Sequence, residues 1–206
     1  MAEFVPANLG IAERSALLNS LVAPRPVAFV STMSAEGKGN LAPFSFFMAA
    51  GYNPMAVAFS ATNWRDGHAK DTMRNCEATG EFVVSVSTRA MAERLNQASY
   101  RYAYGEDEFD HAGFTRAPSV MVRPPRVAES PAALECRVLQ IVKTGDGPGA
   151  GNVIVGEVLH VHVDPAVMDG GMPDNRRIEH LVRLGADYFS TQRPEALFSL
   201  KRPESP

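Results

Sequence analysis

Residues 24–33 read Pro-Arg-Pro-Val-Ala-Phe-Val-Ser-Thr-Met, and residues 40–48 read Asn-Leu-Ala-Pro-Phe-Ser-Phe-Phe-Met. The first run alternates with a period of two, which predicts a β-strand over about 26–33. A turn containing Gly37 and Gly39 separates the runs and favours a hairpin. Pro43 has no N–H to donate, so the second strand is expected to be at a sheet edge or irregular. An irregular strand with free backbone donors, apolar rings and a few polar side chains suits a flat, partly polar ligand.

The rest of the chain indicates short strands joined mostly by turns. Further strands are predicted at about 55–60, 81–87, 134–143 and 152–163. Helices are predicted at about 11–21, 70–79, 88–100 and 178–184. The segment 100–131 lacks a clear period and is typical of a functional or mobile loop. Six or so strands with few helices predict one mainly β domain over residues 1–206, a closed antiparallel barrel with a core at about 20–190 and a tail at about 193–206.

Composition excludes several classes of protein. The 206 residues carry 20 basic and 23 acidic side chains, a net charge of −3, which argues against nucleic-acid binding. No apolar run approaches the roughly 20 residues of a membrane span, and the N-terminus lacks the pattern of a signal peptide. Cys76 and Cys136 lie far apart in sequence, so we expect no disulfide framework, two small buried side chains and a reducing, cytoplasmic location.

Familiar catalytic and metal motifs are missing from the sequence. Residues 145–150 match G-x-G-x-x-A formally, but a strand follows where the dinucleotide fingerprint needs a helix, so we interpret them as a hairpin loop. His160 and His162 share one strand face, and no third ligand stands out, so we interpret them as a polar face and predict no metal site. No side chain is assigned a catalytic role.

The stretch 60–72 has the composition of an anion site. It runs from a strand end through a turn into a predicted helix, and helix N-termini attract anions. Lys70 adds a full positive charge, and hydroxyl donors are supplied by Ser60, Thr62 and Thr72. Asp71 would repel a phosphate, and we expect it to cap the helix instead. A capped helix on a solvated surface explains the same residues without a ligand, and both interpretations stay open at this point.

A second polar stretch, Arg183-Leu-Gly-Ala-Asp-Tyr-Phe189, offers a guanidinium and an aromatic ring. Arg183 can face a carbonyl or a pyrimidine edge, and Tyr188 can stack on a ring. The alternative, which needs no ligand, is a helix end with Gly185 just beyond it. The two interpretations are compatible.

Taken in order, these pieces resemble the flavin reductase-like family, the FMN-binding split barrels. The resemblance spans about residues 20–190. It is carried by Arg25-Pro-Val-Ala-Phe-Val-Ser-Thr32, Asn40-Leu-Ala-Pro-Phe-Ser-Phe-Phe47, Val57-Ala-Phe-Ser60, Lys70-Asp-Thr-Met-Arg-Asn75, Gly80-Glu-Phe-Val-Val-Ser85, Glu108-Phe109, Gly113-Phe-Thr115, Pro125-Arg-Val-Ala-Glu-Ser-Pro-Ala-Ala-Leu-Glu-Cys136, Gly156-Glu-Val158 and Arg183-Leu-Gly185.

The resemblance implies a six-stranded antiparallel Greek-key split barrel with a few peripheral helices, which dimerises and binds FMN near the dimer interface. The wall formed by the segment 40–45 is then expected along the isoalloxazine ring, the stretch 60–72 around the phosphate, and Arg183 with Tyr188 near the ring system. The full expected set is Asn40, Ala42, Pro43, Phe44, Ser45, Ser60, Thr62, Lys70, Asp71, Thr72, Arg183 and Tyr188. This agreement favours the phosphate interpretation of Lys70 and Thr72.

The implied activity is hydride transfer from NADH or NADPH to the flavin. The flavin carries the difficult chemistry, so the protein needs no general base. The helix at 88–100 and the segment 102–115 are expected to shape the nicotinamide side, and a flavin-dependent oxygenase is a possible partner for the reduced flavin. An FMN-binding electron-transfer or flavin-carrier protein without nicotinamide turnover is the alternative, because no residue is diagnostic of nicotinamide binding.

Overall fold

The computed structural model describes residues 1–203, so the last three residues of the predicted tail lie outside it. The described part is mainly β, as predicted. Its strands are β1 (Arg25–Pro26), β2 (Ala28–Met33), β3 (Gly39–Phe44), β4 (Phe47–Tyr52), β5 (Met55–Ser60), β6 (Glu81–Val86), β7 (Arg116–Ala117), β8 (Arg126–Val127), β9 (Ala132–Lys143), β10 (Asn152–Val163), β11 (Met168–Asp169), β12 (Met172–Pro173), β13 (Leu181–Arg183) and β14 (Phe189–Thr191).

The helices are short and peripheral. The α-helices are α1 (Ile11–Leu21), α2 (Asp71–Thr79), α3 (Ala92–Gln97) and α4 (Glu108–Ala112). Single 3₁₀ turns occur at Pro6–Asn8, Arg89–Met91, Pro165–Val167 and Pro194–Ala196. Helix α2 ends at Gly80 with φ 71°, a left-handed conformation that glycine adopts easily, as predicted. No helix within residues 1–203 combines the length and the apolar content that a bilayer span requires.

The main sheet is antiparallel and has the order β3-β2-β6-β9-β10-β5-β4. Its outermost strands, β3 and β4, follow one another in the chain and are joined by Ser45 and Phe46 alone. Such a link spans only about 10 Å, whereas the edges of a flat seven-stranded sheet would lie roughly 30 Å apart. The sheet must therefore curl until its edges nearly meet at this corner, which is the geometry of a split barrel.

The structure corrects two details of the predicted barrel. The single strand predicted over 40–48 is two strands, because the chain turns at Ser45 and crosses from one sheet edge to the other. The main sheet accordingly has seven strands, so the six-strand count is not confirmed, and its hydrogen bonds do not close into a ring. The edge position expected from Pro43 is confirmed, since β3 pairs only with β2 in this sheet.

Two apolar clusters cover opposite faces of β2 and β3. The first fills the barrel, where Phe59 lies 5.1 Å from Phe44 and 5.3 Å from Phe82 between ring centroids. Met73 and Cys76 of α2 and Cys136 of β9 complete this cluster, so both free cysteines are buried as expected.

The second cluster packs α3, α4 and the long loop against the outer face, with Phe29, Leu41, Phe109 and Phe114 at its centre. Burial on both faces fixes the position of β3.

The helix predicted at 178–184 is wrong. This segment contains β13, which pairs with β1 through Arg25 and Arg183 and with β14 on its other side. Seven residues are too few for a helix to be stable on its own, so pairing with strands distant in sequence decides the conformation.

The hairpin interpretation of residues 145–150 is confirmed, because they connect β9 to β10. The loop predicted over 100–131 contains α4 and the β7–β8 pair.

Candidate functional site

A cleft of about 300 Å³ lies between the edge strand β3, the start of α2 and the segment that connects α3 to α4. It brings together six of the residues expected around FMN: Asn40, Ala42, Pro43, Lys70, Asp71 and Thr72. Its other lining residues are Trp64, His68, Ala69, Arg74, Ala98, Ser99, Tyr100, Arg101, Tyr102, Ala103, Tyr104 and Glu108. The cleft is therefore walled by polar groups on one side and by aromatic and basic groups on the other.

A buried hydrogen-bond network ties β3 to the start of α2. Asn40 Nδ2 donates to Thr72 Oγ1 over 2.9 Å and to Thr32 Oγ1 over 3.0 Å. Asn75 Nδ2 donates to the same Thr32 oxygen over 3.0 Å. These four side chains are almost fully buried. Because Thr72 Oγ1 accepts from Asn40, its own O–H remains available as a donor.

Lys70 places a positive charge in the cleft without a matching carboxylate. It occupies the N-cap position of α2, and its Nζ lies 4.6 Å from the Trp64 ring centroid and 5.4 Å from that of Phe44. Burial lowers the pKa of this ammonium, and within residues 1–203 no acidic side chain offsets that effect. A half-buried charge with no counterion is costly, so this position favours an anionic ligand.

The first turn of α2 adds to this preference. The N–H groups at the start of a helix have no partner within the helix, and no side chain caps them here. Asp71 was expected to be the cap, which is wrong, because Lys70 holds that position and Asp71 is the first helical residue. Burial raises the pKa of Asp71, with Arg74 and Arg101 opposing the shift.

The outward edge of β3 offers fewer donors than the sequence suggested. The Leu41 N–H is taken by Glu108 Oε2 over 2.8 Å, and Pro43 has no N–H. Within residues 1–203, no hydrogen bond uses the N–H groups of Ser45 and Phe46. The free backbone donors of this edge therefore lie at the corner between β3 and β4.

The far wall of the cleft contains aromatic and basic side chains that were not among the expected FMN contacts. Arg101 Nη1 lies 2.6 Å from Asp66 Oδ2, and its Cζ lies 5.1 Å from the Trp64 ring centroid. Arg74 Cζ lies 3.8 Å from the ring centroid of Tyr104. Cations stacked on rings are a recognisable pattern in a folded protein, but these residues come from three separate segments. The helix at 88–100 and the segment 102–115 were expected on the nicotinamide side, with no individual side chain named.

The remaining expected residues do not line this cleft. Phe44 contributes only through its ring, which Lys70 approaches. Ser45 accepts a hydrogen bond of 3.4 Å from Arg25 Nε, and Arg25 Nη2 donates to the Leu184 carbonyl over 3.0 Å. This buried guanidinium therefore holds the end of β13 beside the β3–β4 corner. The other residues outside the cleft are Ser60, Thr62, Arg183 and the exposed Tyr188.

His162, one of the two histidines on β10, takes part in a structural contact. His162 Nε2 lies 2.5 Å from Oε1 of the buried Glu135, whose carboxylate also accepts the N–H groups of Val120 and Met121. This carboxylate anchors the long loop to the sheet. Among residues 1–203, no three His, Cys, Asp or Glu side chains are grouped as a metal site would require.

Comparison with known proteins agrees with this architecture. The model of the flavin reductase like domain matches residues 21–180. An uncharacterized protein from Halalkalibacterium halodurans is 37% identical over 201 residues, which is 96% of this chain and 95% of that protein. Nitrilotriacetate monooxygenase component B from Bacillus cereus superposes with a TM-score of 0.89 and 28% identity, covering 97% of this chain and 100% of that one. A split barrel domain protein from Shewanella frigidimarina gives a TM-score of 0.80 at 23% identity, covering 95% and 96%.

Glu108 makes stability depend on pH. Burial, together with the charges of Asp107 and Asp71, raises the pKa of this carboxyl to about 7, although the Leu41 N–H opposes the shift. A raised pKa means that the folded state holds the proton more tightly than the unfolded state, so stability is lost as pH rises through 7. We expect the unfolding free energy of the wild type, relative to Glu108→Gln, to fall by about 3 kcal/mol between pH 4.5 and 8.5. Urea unfolding at several pH values measures it, and parallel curves for the two proteins would contradict it.

Proposed function

Because the chain belongs to the flavin reductase-like family, we propose that it is an FMN-binding oxidoreductase that transfers hydride from NADH or NADPH to the flavin. The observation that carries this proposal is the Lys70 ammonium. It lies without a carboxylate partner in a cleft that the edge strand β3 also lines. One phosphate would satisfy this charge, and FMN carries one phosphate.

The chain's own groups fit the phosphate of FMN. Lys70 supplies a positive charge, the first turn of α2 supplies N–H donors, and Thr72 supplies a hydroxyl hydrogen. Trp64 and the arginine beside it, Arg101, form a polarisable wall across the cleft. Ser60 and Thr62 remain proposed phosphate contacts on the strength of the family resemblance.

We assign the flavin ring to the β3 side of the site. The N–H groups of Ser45 and Phe46 can donate to its carbonyl oxygens, and Arg25 fixes Ser45 in place. Arg183 and Tyr188 are proposed to approach the ring from the β13 end that Arg25 holds nearby. When bound, FMN supplies a ring that accepts hydride from a reduced nicotinamide and passes the electrons on. The chain's role is to bind and orient both molecules and to exclude water from between them.

Two partners are proposed. A solved structure with high similarity to this chain is a component of a monooxygenase, which supports delivery of reduced flavin to an oxygenase. A homodimer is supported by exposed apolar side chains on the β4–β5 hairpin, Met48, Tyr52 and Met55, and sedimentation equilibrium tests it. The two buried free cysteines support a cytoplasmic location.

Replacing Lys70 tests whether its ammonium binds the phosphate of FMN, and riboflavin binding shows whether the replacement also disturbs the fold. Lys70→Ala should weaken FMN binding by about 10- to 100-fold, because a charge-assisted contact contributes roughly 1.5–3 kcal/mol. Riboflavin, which lacks the phosphate, should bind equally well to the variant and the wild type. Isothermal titration calorimetry measures both ligands. Lys143→Ala is the matched control, since that lysine pairs with Glu77 at the surface. Equal losses for both ligands would refute the role of Lys70.

Nicotinamide turnover is tested without oxygen. Protein mixed with FMN and either NADH or NADPH should bleach the flavin absorbance much faster than the same mixture without protein. The alternative, an electron-transfer or flavin-carrier protein, predicts tight FMN binding and no acceleration at millimolar nicotinamide. FMN binding without acceleration would therefore replace the reductase proposal with the alternative.

A further inference from the structure

Glu108 is a buried carboxyl that faces the cleft and lacks a basic partner. It is 7% exposed and lines the same cavity as Asn40 and Lys70. Its Oε2 accepts the Leu41 N–H over 2.8 Å. The backbone N–H of Glu108 itself also donates to this carboxyl. Within residues 1–203, no other side chain forms a hydrogen bond with the carboxyl, and no cation lies within salt-bridge distance of it. The phosphate assignment of Lys70 gives this group no role.

The charges around Glu108 disfavour its ionised form. Asp107 precedes it in the chain, and Asp71 of α2 lies near enough to raise its pKa further. The nearby cations are engaged elsewhere, since Arg74 lies 3.6 Å from Asp71 and Arg116 lies 2.7 Å from Asp107. Arg94 Nη1 of α3 lies 3.1 Å from Glu129 Oε1, and Arg101 pairs with Asp66. The neighbouring acid, Glu106, has its Oε2 3.4 Å from His111 Nε2. The strand β3 contributes no titratable side chain, and the Lys70 ammonium is the remaining charge on the cleft wall.

Protonation changes what Glu108 can bind. A neutral carboxyl carries one O–H donor, and a hydrogen bond from it is stronger in a site from which a ligand excludes water than in bulk water. Within residues 1–203, the protein offers no acceptor to Oε1. A molecule bound in the cleft, which Glu108 lines, can supply that acceptor.

We propose that Glu108 donates its carboxyl proton in a hydrogen bond to an acceptor atom of the bound flavin, a carbonyl oxygen or an unprotonated ring nitrogen. This rests on the proposed FMN site and assigns to that site a proton held by the protein. Ionised Glu108 would instead place a negative oxygen against the acceptor's lone pairs. Flavin affinity should therefore fall as this carboxyl loses its proton.

Riboflavin is the proper probe, because the phosphate of FMN titrates near pH 6 and would obscure the effect. For the wild type, the dissociation constant of riboflavin should rise by about tenfold or more between pH 6 and pH 8.5. Glu108→Gln keeps an acceptor for the Leu41 N–H and presents an amide N–H to the ligand at every pH. Its dissociation constant should change by less than about twofold over the same range. Glu106→Gln, a change at a half-exposed neighbour, should follow the wild type.

Infrared difference spectra provide a second readout that does not depend on affinity. At pH 6, riboflavin binding should shift the C=O band of a protonated carboxyl in the wild type, and this shift should be absent from Glu108→Gln. A flat pH profile in the wild type, an equal slope in Glu108→Gln, or a carboxyl band unchanged by riboflavin would overturn the proposal. Failure of the underlying site has a different signature, since neither FMN nor riboflavin would then bind at any pH.

Discussion

The hydrogen bond from Asn40 to Thr72 is the constraint on which the candidate site depends. It joins the edge strand of the sheet to the first turn of α2 across 2.9 Å, inside a network that also contains Thr32 and Asn75. An edge strand ordinarily leaves its outer side open to other chains. Here that side is fixed against a helix start, and the remaining space becomes a cleft for a ligand.

Two side chains in this cleft carry charge states that the protein alone does not satisfy. Lys70 is a cation among aromatic rings, and Glu108 is an acid whose pKa is raised by burial to about 7. Burial disfavours the charged form of each, and within residues 1–203 no carboxylate pairs with Lys70 and no side chain accepts the O–H of a protonated Glu108. A ligand with a phosphate at one place and a hydrogen-bond acceptor at another would relieve both. The need for both a phosphate and a hydrogen-bond acceptor narrows the range of possible ligands more than the fold does, because proteins with different activities share a fold.

Local patterns predicted much of the fold, and long-range contacts decided the rest. The alternation of β2, the edge position of Pro43 and the stop of α2 at Gly80 follow from rules that act over a few residues. Strand β13 was mistaken for a helix because its conformation is set by β1, more than 150 residues earlier in the chain. Trp64 lies inside the stretch 60–72 and Glu108 inside the segment expected on the nicotinamide side, but their contacts with Lys70 and with the Leu41 N–H were not predicted, because only the folded chain shows them. The stretch 60–72 was recognisable in the sequence because its charged and hydroxyl residues are contiguous, but Ser60 and Thr62 at its start do not line the cleft.

The fluorescence of Trp64 tests the central claim most directly, because it is the sole tryptophan of the chain and lies beside Lys70. If the cleft binds a phosphorylated flavin between α2 and β3, adding FMN should quench this emission saturably at one FMN per chain. Inorganic phosphate should raise the FMN concentration needed for half-maximal quenching. Stoichiometric FMN binding by equilibrium dialysis that leaves the Trp64 emission unchanged would place the flavin elsewhere and contradict the account.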